Sequence, residues 1–422
     1  MSASALNAAR AALYGLPGLP LAFVALPLYV LLPNHYARAF GVPLATLGVL
    51  LLATRLLDAL IDPLLGWLID RLYRRSAQAV LAAAAGACVV LAVSFGLLFH
   101  PPWPQGGGLL ALAAALLVLT YACYSALSLA HQAWGALLGA DASRQSRLVA
   151  WREGLGLVGV LLASTLPALA GLGVMTAVFA ALLALGWLAW RAAPRPPRPA
   201  AAAAPPADPW QPWRSGAFRR LLAVFVLNGL ASAMPATLVL FFVQDRLQAS
   251  AAMEPLFLAA YFAAAAASMP LWLAVVRRLG LVRGWLLGMG LAVLVFVWAA
   301  TLGPGDGAVF AVICVLSGLA LGADLVMPAA LLAGLIERAG DLGRAQGAYY
   351  GWWNFAAKLN LALAAGLALP VLSWFGYTPG AAGAQGAWAL TIAYCLLPCA
   401  LKLAAAGLLA VFFLHRPLGG SS

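Results

Sequence analysis

The chain is 422 residues long, 65% apolar and only 9% charged, with a mean hydropathy of +0.97. Water-soluble domains are roughly half apolar and a quarter charged, so soluble enzymes, nucleic-acid binders and secreted scaffolds are excluded. The net charge of +12 remains as a hint of an acidic partner, and its placement along the chain removes that hint.

A helix needs about 20 apolar residues to cross a bilayer. In chain order, such runs are predicted at 12–33, 44–69, 78–99, 108–139, 152–171, 172–190, 221–243, 252–276, 284–303, 308–336, 346–372 and 386–413. The runs are continuously apolar, unlike the alternating strands of a membrane barrel. Met1 to Arg10 lack the basic start and cleavage site of a signal peptide, so the first run is expected to stay as a span. The five cysteines lie inside apolar runs without His clustering, which argues against disulfide or zinc frameworks.

The basic residues alternate between loops. Arg71, Arg74, Arg75, Arg144, Arg147, Arg191, Arg195, Arg214, Arg277, Arg278, Arg283 and Arg338 fall on one side, against Arg38 and Arg246 on the other. The positive-inside rule then places both termini in the cytoplasm of an inner-membrane protein. The excess charge is topological, and no nucleic-acid partner is implied. Residues 191–216 include the one extended Pro/Ala-rich stretch, RAAPRPPRPAAAAAPPADPWQPWR, of a composition that makes a semi-stiff linker. Flanked by units at 1–190 and 217–422, it gives six spans, a cytoplasmic linker and six more spans. That is the layout expected of an all-α major facilitator fold with twelve transmembrane helices in two six-helix bundles.

Charges inside spans cost roughly 2.5–3.5 kcal/mol or more, so each is a candidate functional group. Span 2 holds Arg55, Asp58 and Asp62, which share a helix face about 60° wide. Two carboxylates one turn apart ionise together only at high cost, so the pair is expected to hold a proton or a bound cation. Pro63 leaves the Ala59 carbonyl without its helical partner, a further oxygen at the same level. A plain Arg55–Asp58 ion pair locking spans together is the competing reading. Lys358 in span 11, Asp324 in span 10 and Lys402 in span 12 complete a balanced embedded set, and Asp324 pairs with Lys402 or lines a cavity. Gly66, Asp70, Arg71, Arg74 and Arg75 follow at the cytoplasmic end of span 2. They are expected to form bonds that hold one arrangement of the helices and break in another, or to anchor orientation.

The string Gly66-x-x-x-Asp70-Arg71-x-x-Arg74-Arg75 resembles the span 2–3 signature of the major facilitator superfamily. Arg55-x-x-Asp58-x-x-x-Asp62-Pro63-x-x-Gly66-Trp67 resembles the span 2 hallmark of its glycoside–pentoside–hexuronide:cation symporters. Tyr14-Gly15, Asp141 with Arg147 and Arg152, and Gly351…Asn354-Phe-x-x-Lys358 extend the similarity along nearly the whole chain. The resemblance implies a cation site at Asp58 and Asp62, aided by the Ser125 hydroxyl and by Lys358. The family's Asn before the second acid is Ile61 here, which removes one oxygen ligand and tilts the expectation from Na⁺ towards H⁺. Positions of the family's sugar-binding acids hold Ala22 and Ser128, and a neighbouring aromatic position holds Gln132. The substrate cavity is therefore sought among Ser128, His131, Gln132, Trp134, Arg152, Asp324 and Trp353.

The function these readings imply is secondary active transport, without catalytic residues or a cofactor. H⁺ or Na⁺ would drive symport of a small organic solute such as a sugar or glycoside. A lysolipid or amphiphile carrier, or a drug-type exporter of the same fold, is the alternative. The expected partners are the solute and membrane lipid, the expected state is a monomer, and no metal beyond Na⁺ is expected.

Overall fold

In the computed structural model, residues 8–103, 108–139, 141–197, 208–250, 253–374, 377 and 384–414 are described. Arg198, Gly376, Arg416 and the middle of the expected linker lie outside them. The described chain is helical, with no strand. Its helices are α1 (Ala8–Gly15), α2 (Gly18–Phe23), α3 (Leu32–Phe40), α4 (Leu44–Arg75), α5 (Ala77–Phe99), α6 (Gly108–Leu138), α7 (Ala142–Ala192) and α8 (Gln211–Arg214). They continue as α9 (Gly216–Phe241), α10 (Glu254–Ala267), α11 (Met269–Phe296), α12 (Gly307–Arg338), α13 (Gln346–Trp374), α14 (Ala384–Thr391) and α15 (Leu397–Phe413).

Eight described stretches are long and apolar enough to cross a bilayer. One of them, Glu254–Thr301, is 48 residues long and changes course at Gly280 (φ 78°). The 51-residue α7 does the same at Gly171 (φ 81°), where spans 5 and 6 are predicted to meet. Both glycines sit at positive φ, a conformation that a side chain strongly disfavours. The helices α4 and α13 are 32 and 29 residues long but carry embedded charges. The first passage is broken by Pro17, Pro20, Pro27 and Pro33 into short helices and a π-helical turn at Pro27–Leu31. This layout leaves room for the twelve expected passages.

The chain forms two compact units, residues 1–214 with 336–355, and residues 215–335 with 356–422. In the first unit α2 packs on α7, α5 on α6 and α7, and α4 on α6. Glycine permits the closest approach: a Cβ at Gly18 would lie 2.4 Å from the Arg152 carbonyl oxygen, and one at Gly159 2.1 Å from that of Leu19. In the second unit α15 packs against α9 and α11. An aromatic core there includes Phe242, Phe257, Phe310 and Tyr394, with Phe242 stacked on Tyr394 at 4.2 Å. Apolar side chains such as Val89, Val93, Leu185 and Leu294 are exposed, as hydrocarbon-facing positions should be. All five cysteines are free.

The end of the expected linker is packed into the first unit. Trp210 and Trp213 meet the Trp352 ring at 4.9 and 5.1 Å, and the Trp352 indole donates to the Pro209 carbonyl at 3.0 Å. Gln211 donates to Asp341, whose other carboxylate oxygen accepts from the Tyr349 hydroxyl at 2.8 Å. Pro/Ala-rich composition concealed two tryptophans that pack on Trp352, although Trp210 stays largely exposed.

Candidate functional site

Two groups of buried polar side chains stand out, one in each unit. In the first, α4 carries Asp58 and Asp62 on its inner face, 5% and 0% exposed. One turn before them, Arg55 is half-buried. Ser125 on α6 donates its hydroxyl to Asp58 Oδ1 at 2.7 Å, which brings together two of the expected cation-site residues. At 100° per residue, Ser128 and Gln132 lie within about 60° of Ser125 on the same helix face, both half-buried.

His131 and Trp134 are turned away from that face and serve packing. The His131 ring stacks on Tyr14 at 4.4 Å, its Nε2 lies 2.7 Å from the Tyr14 carbonyl oxygen, and the Tyr14 hydroxyl donates to the His131 carbonyl. Trp134 is fully buried against Trp190, with its indole donating to the Pro194 carbonyl at 3.0 Å. Neither side chain of this pair presents a surface to a solute, since burial and neighbours occupy both. Arg152 forms a 2.5 Å ion pair with Glu153, and Trp353 is buried in the first unit. Lys358 lies on the part of α13 that belongs to the second unit.

The basic end of α4 meets the beginning of α13 within the first unit. Asp70 accepts the backbone N–H groups of Gly347 and Ala348 at 2.7 and 2.9 Å. These are among the N–H groups of a helix's first turn, which lack helical partners and carry partial positive charge. Contact at this distance requires bare backbone: a Cβ at Gly66 would fall 2.1 Å from the Gly347 oxygen. A Cβ at Gly351 would fall 2.6 Å from the Asp62 oxygen. Around this contact the arginines are peripheral. The Arg71 guanidinium covers the Trp67 ring at 4.2 Å, Arg74 is half-buried and Arg75 is exposed.

The second unit answers the open question about Asp324 in both ways. Its Oδ2 accepts from Lys402 Nζ at 2.6 Å, while Oδ1 accepts from the Trp285 indole at 2.8 Å and from Asn228 at 3.1 Å. Lys402 donates further to Asn228 Oδ1 at 2.8 Å and to Ser232 at 3.4 Å. Asp324 and Lys402 also line a cavity of about 370 Å³ inside this unit. Asn228, Ser232 and Trp285 are absent from the sequence-based candidates. Asn228 was visible as a lone amide in an apolar run, but nothing in its spacing identified a partner.

A family model described as MFS/sugar transport protein matches residues 13–416. The putative glycoside/cation symporter YagG of Escherichia coli (strain K12) is 30% identical over 148 residues, 35% of this chain and 32% of that protein. The match thus spans about a third of that relative's length. A bacterial homologue of the iron transporter ferroportin, solved in its outward-facing state, superposes with a TM-score of 0.71 at 16% identity. That alignment covers 97% of this chain and 100% of the other. The human organic anion transporter MFSD10 (TETRAN) gives a TM-score of 0.66 at 18% identity, covering 95% of this chain and 99% of that one. At these identities the likeness is one of fold. The family match over nearly all of the sequence makes this chain a member of the MFS/sugar transport protein family, the glycoside–pentoside–hexuronide:cation symporter group of the major facilitator superfamily, and a non-enzymatic multi-pass membrane transporter.

Proposed function

We propose that this transporter is a symporter in which one H⁺ drives uptake of a small organic solute of the sugar or glycoside class by alternating access. One observation carries the reading: two carboxylates a helical turn apart are buried in α4, and the first is held by the Ser125 hydroxyl. Placing both as anions in a low-dielectric interior costs more than binding one cation between them. The set has few oxygens to offer, with Ile61 where the related symporters carry an amide, and a proton needs only one carboxylate. Coupling follows if the loaded pair favours the solute-binding arrangement, because the solute then favours loading to the same degree.

In this reading the protein is a monomer in the inner membrane, with termini and basic loops in the cytoplasm. The Asp70 contact with Gly347 and Ala348 is then the cytoplasmic closure, broken when the path opens to that side. Ser128 and Gln132, on the Ser125 face, are the preferred solute contacts of α6.

The test is gradient-driven uptake of labelled sugars and glycosides into vesicles, measured across pH with and without Na⁺. Uptake is expected to follow the proton gradient and to vanish in Asp58→Asn and Asp62→Asn. Strict Na⁺ dependence would replace the ion, and undiminished concentrative uptake in both variants would remove the mechanism. The second reading, an amphiphile carrier, draws support from the apolar cavity of the second unit. Movement of amphiphiles without competition by sugars would favour it.

A further inference from the structure

The cavity within the second unit is a partly open cleft bounded by α9, α10, α11, α12 and α15. Its walls are mostly aliphatic and aromatic, including Pro235, Val239, Phe257, Phe296 and Phe310. Its volume, about 370 Å³, falls in the range of clefts that hold drug-sized ligands, roughly 300–1,000 Å³. Polar groups are confined to a few places, chief among them the Asp324–Lys402 pair, whose side chains are 11% and 10% exposed. The Ser317 hydroxyl, on another lining residue, is buried without a hydrogen-bond partner.

A buried ion pair is a poor way to hold helices together, since apolar side chains of similar volume usually do as well or better. Its presence at the edge of an apolar cavity calls for a use. The pair is neutral as a unit, and the carboxylate is satisfied by Lys402, Trp285 and Asn228. A charged ligand would therefore bring an uncompensated charge into a low-dielectric space. A ligand oxygen can instead take over the ammonium donor that reaches Ser232 at 3.4 Å, the longest bond of the network. We infer that this cavity is a binding site for an uncharged amphiphile, with its apolar body among the aromatic walls and one hydroxyl or carbonyl oxygen accepting from Lys402.

The test uses the full-length protein in phospholipid nanodiscs without any ion gradient, so its outcome is separate from that of the coupling mechanism. Four diazirine photoprobes share one aryl-alkyl body and end in a hydroxyl, a methyl, an ammonium or a carboxylate, and a fifth is a diazirine phospholipid. The hydroxyl probe is expected to label peptides from residues 231–240 and 310–324 saturably, and more strongly than the two charged probes. Filling the space with Ser317→Phe or Ala236→Phe should reduce that labelling by roughly tenfold, with the unfolding temperature unchanged or raised. The double variant Asp324→Leu/Lys402→Met should abolish the preference for hydroxyl over methyl. Labelling that persists in both filled variants overturns the inference. So does a preference for a charged probe, or equal non-saturating labelling by the phospholipid, which marks the cavity as a niche for lipid chains.

Discussion

The two units bury carboxylates in opposite company. In the first, two acids a turn apart share one face of α4 with the half-buried Arg55, and Ser125 donates to Asp58. In the second, Asp324 faces a lysine, an amide and an indole drawn from three other helices. An acid–base pair closes its own charge balance, whereas two carboxylates a turn apart ionise together only at high cost, which is the basis of the cation site proposed above. Burial alone thus says little about the role of a membrane carboxylate, and the identity of its neighbours says much more.

That contrast can be broken by mutation. The largest effect is expected for Lys402→Met, which strands the Asp324 carboxylate and should cost about 3–5 kcal/mol of stability, whereas adding Asp324→Leu should restore most of it. Thermal unfolding of the purified protein reads this, and a double variant as damaged as the single one would contradict the account. In the first unit, the double variant Asp58→Asn/Asp62→Asn should leave unfolding nearly unchanged. Its gradient-driven uptake should nevertheless fall by roughly a hundredfold, or about 2.7 kcal/mol. Gly66→Val comes next. Its side chain would drive into the Gly347 carbonyl, at an expected cost of about 1–3 kcal/mol. A cysteine replacing Ala348 should then react faster with a soluble thiol reagent. The smallest effects sharpen the comparison further. Ser125→Ala loses a 2.7 Å bond and should shift the half-maximal proton requirement of uptake by about 1 kcal/mol. Ser232→Ala, at 3.4 Å from Lys402, should be close to silent in both uptake and unfolding.

Much of the architecture was legible because it depends on runs within single helices. The spans, the turn at Gly171 and the shared face of Arg55, Asp58 and Asp62 all follow from local periodicity. The Ser125–Asp58 bond joins residues 67 apart, and only resemblance to known symporters pointed to it. Asn228 and Trp285 had neither periodicity nor resemblance to mark them, since their role exists only once α9, α11, α12 and α15 surround Asp324. His131 and Trp134 were cavity candidates by residue type, with packing the commoner role for a lone His in a span, and both point into helix packing. The docked end of the linker was hidden because average composition outweighed Trp210 and Trp213.

Where α13 meets α4, main chain touches main chain at Gly66, Gly347 and Gly351, and the last of these lies against the Asp62 carbonyl. A barrier made of bulky side chains can flicker, because rotamers swing and admit water one molecule at a time. A seam of bare glycine backbone has nothing to swing. In the proposed role as a closure, water would gain passage there only when the two helices separate and the Asp70 bonds at the end of the seam break. If this seam is the closure proposed above, it would leak little while shut and part all at once, as a carrier coupled to an ion needs if that ion is not to slip through without cargo.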